Sequence, residues 1–259
     1  MVGDLAGFVA GTFMRGVPVV QVPTSLLGMI DASVGGKTGV DTPAGKNLVG
    51  VFHPPVLVVV DPQTLATLPL NFLRTGFAEA IKHGVIADSG YFESVTRELP
   101  NLLAPGGAGS DTFTPVIVRS IEIKAGIVAR DERERGLRKV LNFGHTIGHA
   151  IEALSGYELA HGEAVAIGMA LESAVAERAG IAEVGTSEAI RDALSAAGLP
   201  VERPEGIPGE NILGAMRADK KVRRGEVEYA LPSRIGAMAG SGSGWAVTVA
   251  DDIVREVLT

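Results

Sequence analysis

Leu141-Asn142-Phe143-Gly144-His145-Thr146-Ile147-Gly148-His149, followed after a glycine-containing turn by His161-Gly162-Glu163, holds three of the chain's five histidines. His145 and His149 are four apart, so on a helix they share one face. His161 opens a second helical pattern, and two helix ends placed together would gather the three imidazoles. The spacing reads as two ligands of a metal site or as two ordinary histidines, because pairs four apart also arise by chance. It is not the H-E-x-x-H arrangement of zinc peptidases, since Thr146 and not Glu follows the first His. The chain has no cysteine, so a metal would have to be held by histidine and carboxylate, and disulfides and thiol nucleophiles are excluded.

Outward from this stretch the pattern is helical. Residues 72–86, 112–130, 140–153, 162–179 and 187–197 carry apolar side chains at helical spacing, with Gly or Pro between them. The glycine-rich runs 105–109 and 240–244 read as loops. Towards the N-terminus the character changes. A helix over residues 3–14 precedes a strand at 18–23, a Ser/Gly/Thr-rich loop through Asn47 and a second strand at 56–60. Two strands are too few for an independent sheet. The expected architecture is therefore an α/β remnant over residues 1–68 followed by a mainly α-helical, metal-binding domain over 69–259. A net charge of −7 argues against a nucleic-acid partner. No apolar run approaches the ~20 residues that cross a bilayer, and no leader pattern is present, so no membrane partner and a cytoplasmic location are expected.

Two further groups of residues could carry chemistry. In Gly76-Phe77-Ala78-Glu79-Ala80-Ile81-Lys82-His83, Glu79 and Lys82 lie three apart on a face that its neighbours should bury. The pair is either a salt bridge or a carboxylate ligand beside a substrate-binding ammonium, and two His with one Glu form a common catalytic zinc set. Ser33-Val34-Gly35-Gly36-Lys37-Thr38, with Gly45-Lys46-Asn47 after it, resembles a phosphate loop, but Asp31 stands where that loop needs glycine. It is either an ordinary loop or an anion cradle built from amides and two lysines.

Together these segments closely resemble the 3-dehydroquinate synthase family, a branch of the sugar phosphate cyclases. The likeness runs from Val2 to the C-terminus. It rests on Val2-Gly3-Asp4-Leu5-Ala6-Gly7-Phe8, Gln21-Val22-Pro23-Thr24-Ser25, Asp31 through Thr38, Gly45-Lys46-Asn47, Glu79-Ala80-Ile81-Lys82, the two histidine segments and Asp219-Lys220-Lys221. The resemblance implies a divalent metal, zinc or cobalt, on Glu79, His145 and His161. It makes His149 a catalytic group near the transferred phosphate, together with Lys82, Asn142 and Arg138. Asp31, Lys37, Lys46, Lys124, Lys221 and Arg15 match substrate-binding residues, and Asp4, Thr24, Ser25, Thr64, Thr67 and Leu68 match positions lining an NAD site.

The implied activity is a lyase reaction of the shikimate pathway, the conversion of 3-deoxy-D-arabino-heptulosonate 7-phosphate to 3-dehydroquinate and phosphate. It runs by transient oxidation of a secondary alcohol, phosphate elimination, re-reduction, ring opening and aldol closure, with NAD recycled. A homodimer acting on a small sugar phosphate is implied as well. The family has a glycine run before the Val-Gly-Asp segment, and here Met1 stands in its place. The expectation is an N-terminally truncated chain, by a misassigned start or as a genuine fragment, that keeps the metal, binds NAD poorly and turns over little. The competing readings are another cyclase of the 2-deoxy-scyllo-inosose synthase kind, a metal-dependent polyol dehydrogenase, and a non-catalytic metal-binding fragment.

Overall fold

A computed structural model of the chain describes residues 1–42, 45–218, 222–223 and 226–259. The first layer is small. Helix α1 (Val2–Thr12) precedes β1 (Val20–Gln21), the hairpin β2 (Lys37–Thr42) and β3 (Gly45–Phe52), and β4 (Leu57–Val58). Strands β1 and β4 pair in parallel, Val20 against Leu57 and Gln21 against Val58. Strands β2 and β3 pair antiparallel, with a register shift between Val40 and Thr42. The hairpin corrects the expectation of a loop through Asn47. Its composition hid it, because Lys37-Thr38-Gly39-Val40-Asp41-Thr42 lacks a clean apolar alternation and its support comes from α1. The hairpin seats on a glycine stripe of that helix: a Cβ at Gly7 would lie 2.5 Å from Thr38 Cγ2, and one at Gly11 2.7 Å from Val51 Cγ1. Between β1 and β2, a single π turn (Gly28–Ala32) buries Met29 and Ile30 and carries Asp31.

The helical part follows. Helix α2 (Leu70–Ala87) is buried almost throughout, and Asp88 ends it while capping α3 (Ser89–Leu102) through Tyr91 N at 3.0 Å. Helices α4 (Phe113–Arg130), α5 (His145–Leu154), α6 (His161–Arg178), α7 (Thr186–Ala196) and α8 (Gly209–Ala218) complete the packed set. Beyond them lie the short strands β5 (Val222–Arg223), β6 (Glu226–Tyr229), β7 (Pro232–Arg234), β8 (Ala237–Met238) and β9 (Val247–Thr248), then α9 (Asp251–Leu258). One apolar cluster gathers Phe77, Ile81, Val95, Leu99, Phe113 and Ile117 around α2, and it also takes in Leu26, Met29, Ile30 and Leu65 of the first layer. A second, with Ile147, Ile151, Ile167, Val175, Ile212 and Val254, joins α5, α6, α8 and α9.

The single helix expected over 140–153 is in fact two pieces. A 3-10 segment (Leu137–Asn142) stops two residues before Gly144, whose φ of 80° is left-handed, and α5 starts afresh at His145. A glycine is required there, since a Cβ would meet Met169 Cγ at 2.4 Å. Helices α3, α8 and α9 lie outside the segments expected from helical spacing.

Candidate metal and substrate site

Three helices meet at close quarters to build the site, and glycine sets the distance at each contact. A Cβ at Gly162 in α6 would fall 2.3 Å from Thr75 O in α2, and one at Gly168 only 1.9 Å from Gly144 O. The helices therefore touch through backbone. This brings the first residue of α5, His145, and the first residue of α6, His161, towards Glu79 in the middle of α2. Glu79 Oε1 lies 3.8 Å from His145 Nε2 and 4.0 Å from His161 Nε2. The Glu79 side chain is 0% exposed, and neither oxygen accepts an aligned hydrogen bond. Lys82 Nζ, itself buried, pairs with Oε2. That leaves Oε1 facing the two imidazoles, and a buried carboxylate oxygen with no hydrogen-bond donor favours a further cation beside it. Zinc bonds of about 2.1 Å set a tetrahedral edge of roughly 3.4 Å, so a small inward movement of the imidazoles fits these residues to the ion.

Their outer nitrogens are already engaged. His145 Nδ1 is 3.2 Å from Phe143 O, which favours the tautomer with the Nε2 lone pair turned to Glu79. His161 Nδ1 lies 3.7 Å from Glu152 Oε2. Burial opposes charge on His161, yet the close approach of Glu152 and the charge of Glu79 prevail and raise its pKa. The His149 ring sits 5.0 Å from that of His145 and 6.0 Å from that of His161. His149, Glu152 and His161 form a second group with metal-ligand proximity that overlaps the first.

Next to this cluster lies a charged network. Lys124 Nζ donates to Asp31 Oδ1 at 2.6 Å and to Asp31 O at 2.5 Å. Burial opposes the charge on Asp31, but Lys124 and Lys82 hold its carboxyl well below the usual carboxylate range. Burial lowers the pKa of Lys124, against the opposing pull of the Asp31 carboxylate that it contacts. His83 is fully buried, with Nδ1 2.6 Å from Ser120 Oγ. Burial, then the charge of Lys82, lowers its pKa to about 3.

A cavity of about 330 Å³ has Lys37, Glu134, Lys139, Asn142, Thr146 and Glu228 among its lining residues. Glu134 pairs with Lys37 and accepts from Asn142 Nδ2 at 2.6 Å. Arg138 is buried and donates to Glu132 O at 2.6 Å and Gly35 O at 2.9 Å, tying the hairpin to the chain ahead of α5. Lys46 lies on β3, and Lys221 falls outside the described residues. Arg15 stands exposed after α1 with a φ of 70°, and among the described residues no hydrogen bond or ion pair joins it to the cluster. Sequence reasoning missed Glu134, Glu152 and Glu172. Their neighbouring cations and amides are distant in the chain or unremarkable locally, so no spacing signal marks them.

The remaining candidates gather in the first layer. Thr24 and Ser25 follow β1, and Thr64, Thr67 and Leu68 lie in or just after a 3-10 turn (Pro62–Thr67) that follows β4. Because β1 and β4 are parallel, both segments leave the same, carboxyl, end of the ladder, where α/β folds bind nucleotides. Asp4 sits in the first turn of α1.

The family model for the N-terminal part of 3-dehydroquinate synthase matches residues 1–75, and that for its C-terminal part residues 76–222. A curated relative, the 3-dehydroquinate synthase of a Synechococcus sp., is 46% identical over 259 residues, which is 100% of this chain and 68% of that protein. That of Symbiobacterium thermophilum is 48% identical over 237 residues, covering 91% of this chain and 65% of the relative. Among solved structures, a 2-deoxy-scyllo-inosose synthase complexed with carbaglucose-6-phosphate, NAD+ and Co2+ superposes with a TM-score of 0.87 at 27% identity, over 99% of this chain and 70% of that one. A 2-epi-5-epi-valiolone synthase from Streptomyces hygroscopicus, with NAD+ and Zn2+ bound, gives 0.83 at 30% identity over 98% and 69%. A structure described as a probable glycerol dehydrogenase from Sinorhizobium meliloti, at a TM-score of 0.65 and 20% identity, shares the fold alone. Both family models match consecutively, and the likeness to curated relatives runs the length of the chain, so it belongs to the 3-dehydroquinate synthase family.

Proposed function

We propose that the chain carries the metal and substrate machinery of a 3-dehydroquinate synthase, the lyase that converts 3-deoxy-D-arabino-heptulosonate 7-phosphate to 3-dehydroquinate and phosphate in the shikimate pathway. The observation that carries this is the buried Glu79 carboxylate facing His145 Nε2 and His161 Nε2. When bound, zinc or cobalt on these three residues supplies Lewis acidity, and NAD beside Asp4, Thr24, Ser25, Thr64, Thr67 and Leu68 supplies reversible hydride acceptance.

The chain's own residues hold the substrate and move its protons. Asp31, Lys82 and Lys124 form a fixed, water-poor set of donors and acceptors for hydroxyl groups. Lys37, Arg138 and Asn142, with Lys46, Lys221 and Arg15, take the carboxylate and phosphate. Glu134 holds Lys37 and Asn142 until an anion displaces it. His149, beside the metal-facing imidazoles, carries a proton on the phosphate side. The domain division at 68/69 assigns the cofactor to the first layer and the metal to the helices. A homodimer is part of the reading, and the exposed apolar side chains of α1, β1 and β4 supply a face for it.

Phosphate release tests the reading. The zinc-loaded chain is assayed with NAD and either heptulosonate phosphate or glucose 6-phosphate, alone and joined to the portion of the Synechococcus relative that it does not match. Release from heptulosonate phosphate in either arrangement supports the proposal. Preference for glucose 6-phosphate would move the chain to the 2-deoxy-scyllo-inosose branch, and net NADH production would make it a dehydrogenase.

A further inference from the structure

Helix α5 begins without a cap of its own. Its first turn presents backbone N–H groups that need acceptors, ordinarily the side chain of Ser, Thr, Asp or Asn at the cap position. That position is Gly144, and any side chain there would meet Met169 Cγ at 2.4 Å and Val165 O at 2.8 Å. The cap has to come from another element, and Glu172 of α6 provides it. Its Oε2 accepts from Gly144 N at 2.7 Å and its Oε1 from Ile147 N at 2.9 Å. The side chain is 0% exposed. Both carboxylate oxygens are thus committed to the two amides that flank His145.

The placement reaches the metal centre in two ways. Glu172 and His161 are eleven residues apart on α6, close to three full turns, so they share one face of that helix. One end of this face presents His161, and the other grips the start of the helix that presents His145 and His149. A rotation or slide of α5 against α6 would have to break these two bonds. The electrostatics act the same way. The N-terminus of α5 carries partial positive charge, which opposes a dication held by that helix's first residue, and a buried carboxylate at the same end offsets it.

From this geometry we infer that Glu172 is a positioning residue of the metal centre: it fixes the start of α5 so that the imidazoles of the two helices meet Glu79. The inference rests on the metal reading proposed above. The closest structural control is on the same helix, where Glu177 Oε1 accepts from Ser187 N at 2.6 Å at the start of α7, which bears no candidate ligand.

Zinc titration by calorimetry, with the visible spectrum of the cobalt-substituted protein, tests it on the 259-residue chain. Glu172→Gln weakens zinc binding by about tenfold or more and changes the cobalt spectrum, at unchanged far-ultraviolet circular dichroism. Glu172→Asp, which keeps the charge, recovers part of the affinity, and Glu177→Gln leaves both readouts as in the wild type. Wild-type affinity and spectrum in Glu172→Gln would overturn the inference. So would a variant that fails to fold even with saturating zinc, because the carboxylate would then be a determinant of folding and not of ligand position. A wild-type chain that takes up no zinc would sink the metal reading itself, and this inference with it.

Discussion

Glu79 and His83 lie one helical turn apart on α2, both fully buried, and they answer different tests. If Glu79, His145 and His161 hold the ion, Glu79→Gln or His161→Ala removes stoichiometric zinc, while His149→Ala keeps most of it. Elemental analysis after gel filtration decides, and equal loss in His149→Ala would shift the site to the neighbouring group of His149, Glu152 and His161. His83 makes a prediction about pH. Its folded pKa of about 3 lies below the ordinary 6.5, so below 6.5 the unfolded chain binds a proton that the native one refuses. The stability that neutral His83 contributes is fully present above 6.5 and is lost as pH falls from there towards 3. Between pH 7 and 5 this amounts to about 2 kcal/mol. Urea unfolding of metal-free protein at the two pH values should show that loss reduced by about this amount in His83→Gln; the same loss in both proteins would mean His83 is not held neutral. The sequence made Glu79 and the three clustered histidines legible, through helical spacing and family likeness. It gave no sign that His83 is buried against Ser120, 37 positions away, or that Glu134 sits on Lys37, 97 positions away. Such partners are set by tertiary packing, which spacing does not report.

Helices α2, α4, α6 and α7 were legible because their apolar residues repeat at helical period and Gly or Pro separates them. The hairpin and the break at Gly144 were not, and both depend on backbone approach. Glycine has no pattern of its own to read; its reason is the neighbour that a Cβ would strike. Gly168 is the sharpest case, with a Cβ only 1.9 Å from Gly144 O, whereas a Cβ at Gly126, exposed in the middle of α4, would meet nothing within 4 Å. Alanine should therefore act oppositely at the two sites. Gly168→Ala pushes α5 off α6, costs at least about 2 kcal/mol and lowers zinc affinity. Gly126→Ala gains helix propensity and stabilises by roughly 0.5–1 kcal/mol. Thermal unfolding of both variants checks the pair. A Gly168→Ala protein as stable as the wild type, with unchanged zinc binding, would show that the helix contact has slack the geometry does not suggest.

At the scale of the molecule, the first layer has two unlike faces. Helix α1 turns Gly7 and Gly11 to the hairpin, while Leu5, Val9 and Phe13, spaced four apart, are 51%, 53% and 59% exposed. Val20, Val22, Val56 and Leu57, in or beside the parallel β1–β4 ladder, are exposed as well. That ladder is two residues long on each strand, too short to bury its own sides. Together these side chains make an apolar surface of the kind that soluble chains rarely leave open to water. No helix among the described residues is long and apolar enough to cross a membrane. The surface should act as a sticky face of the 259-residue chain: a hydrophobic dye binds to it, and the weight-average mass in sedimentation equilibrium rises with concentration. Leu5→Glu with Val9→Glu places two charges on the outward side of α1, away from the glycine contacts. The double variant should lose most dye fluorescence and sediment nearer the monomer mass at every concentration, with zinc binding retained because Glu79, His145 and His161 lie on other helices. Association unaffected by the two charges would place the self-contact elsewhere. A wild-type chain that stays monomeric and dark to the dye would show that this surface is covered in solution by a rearrangement of the first layer.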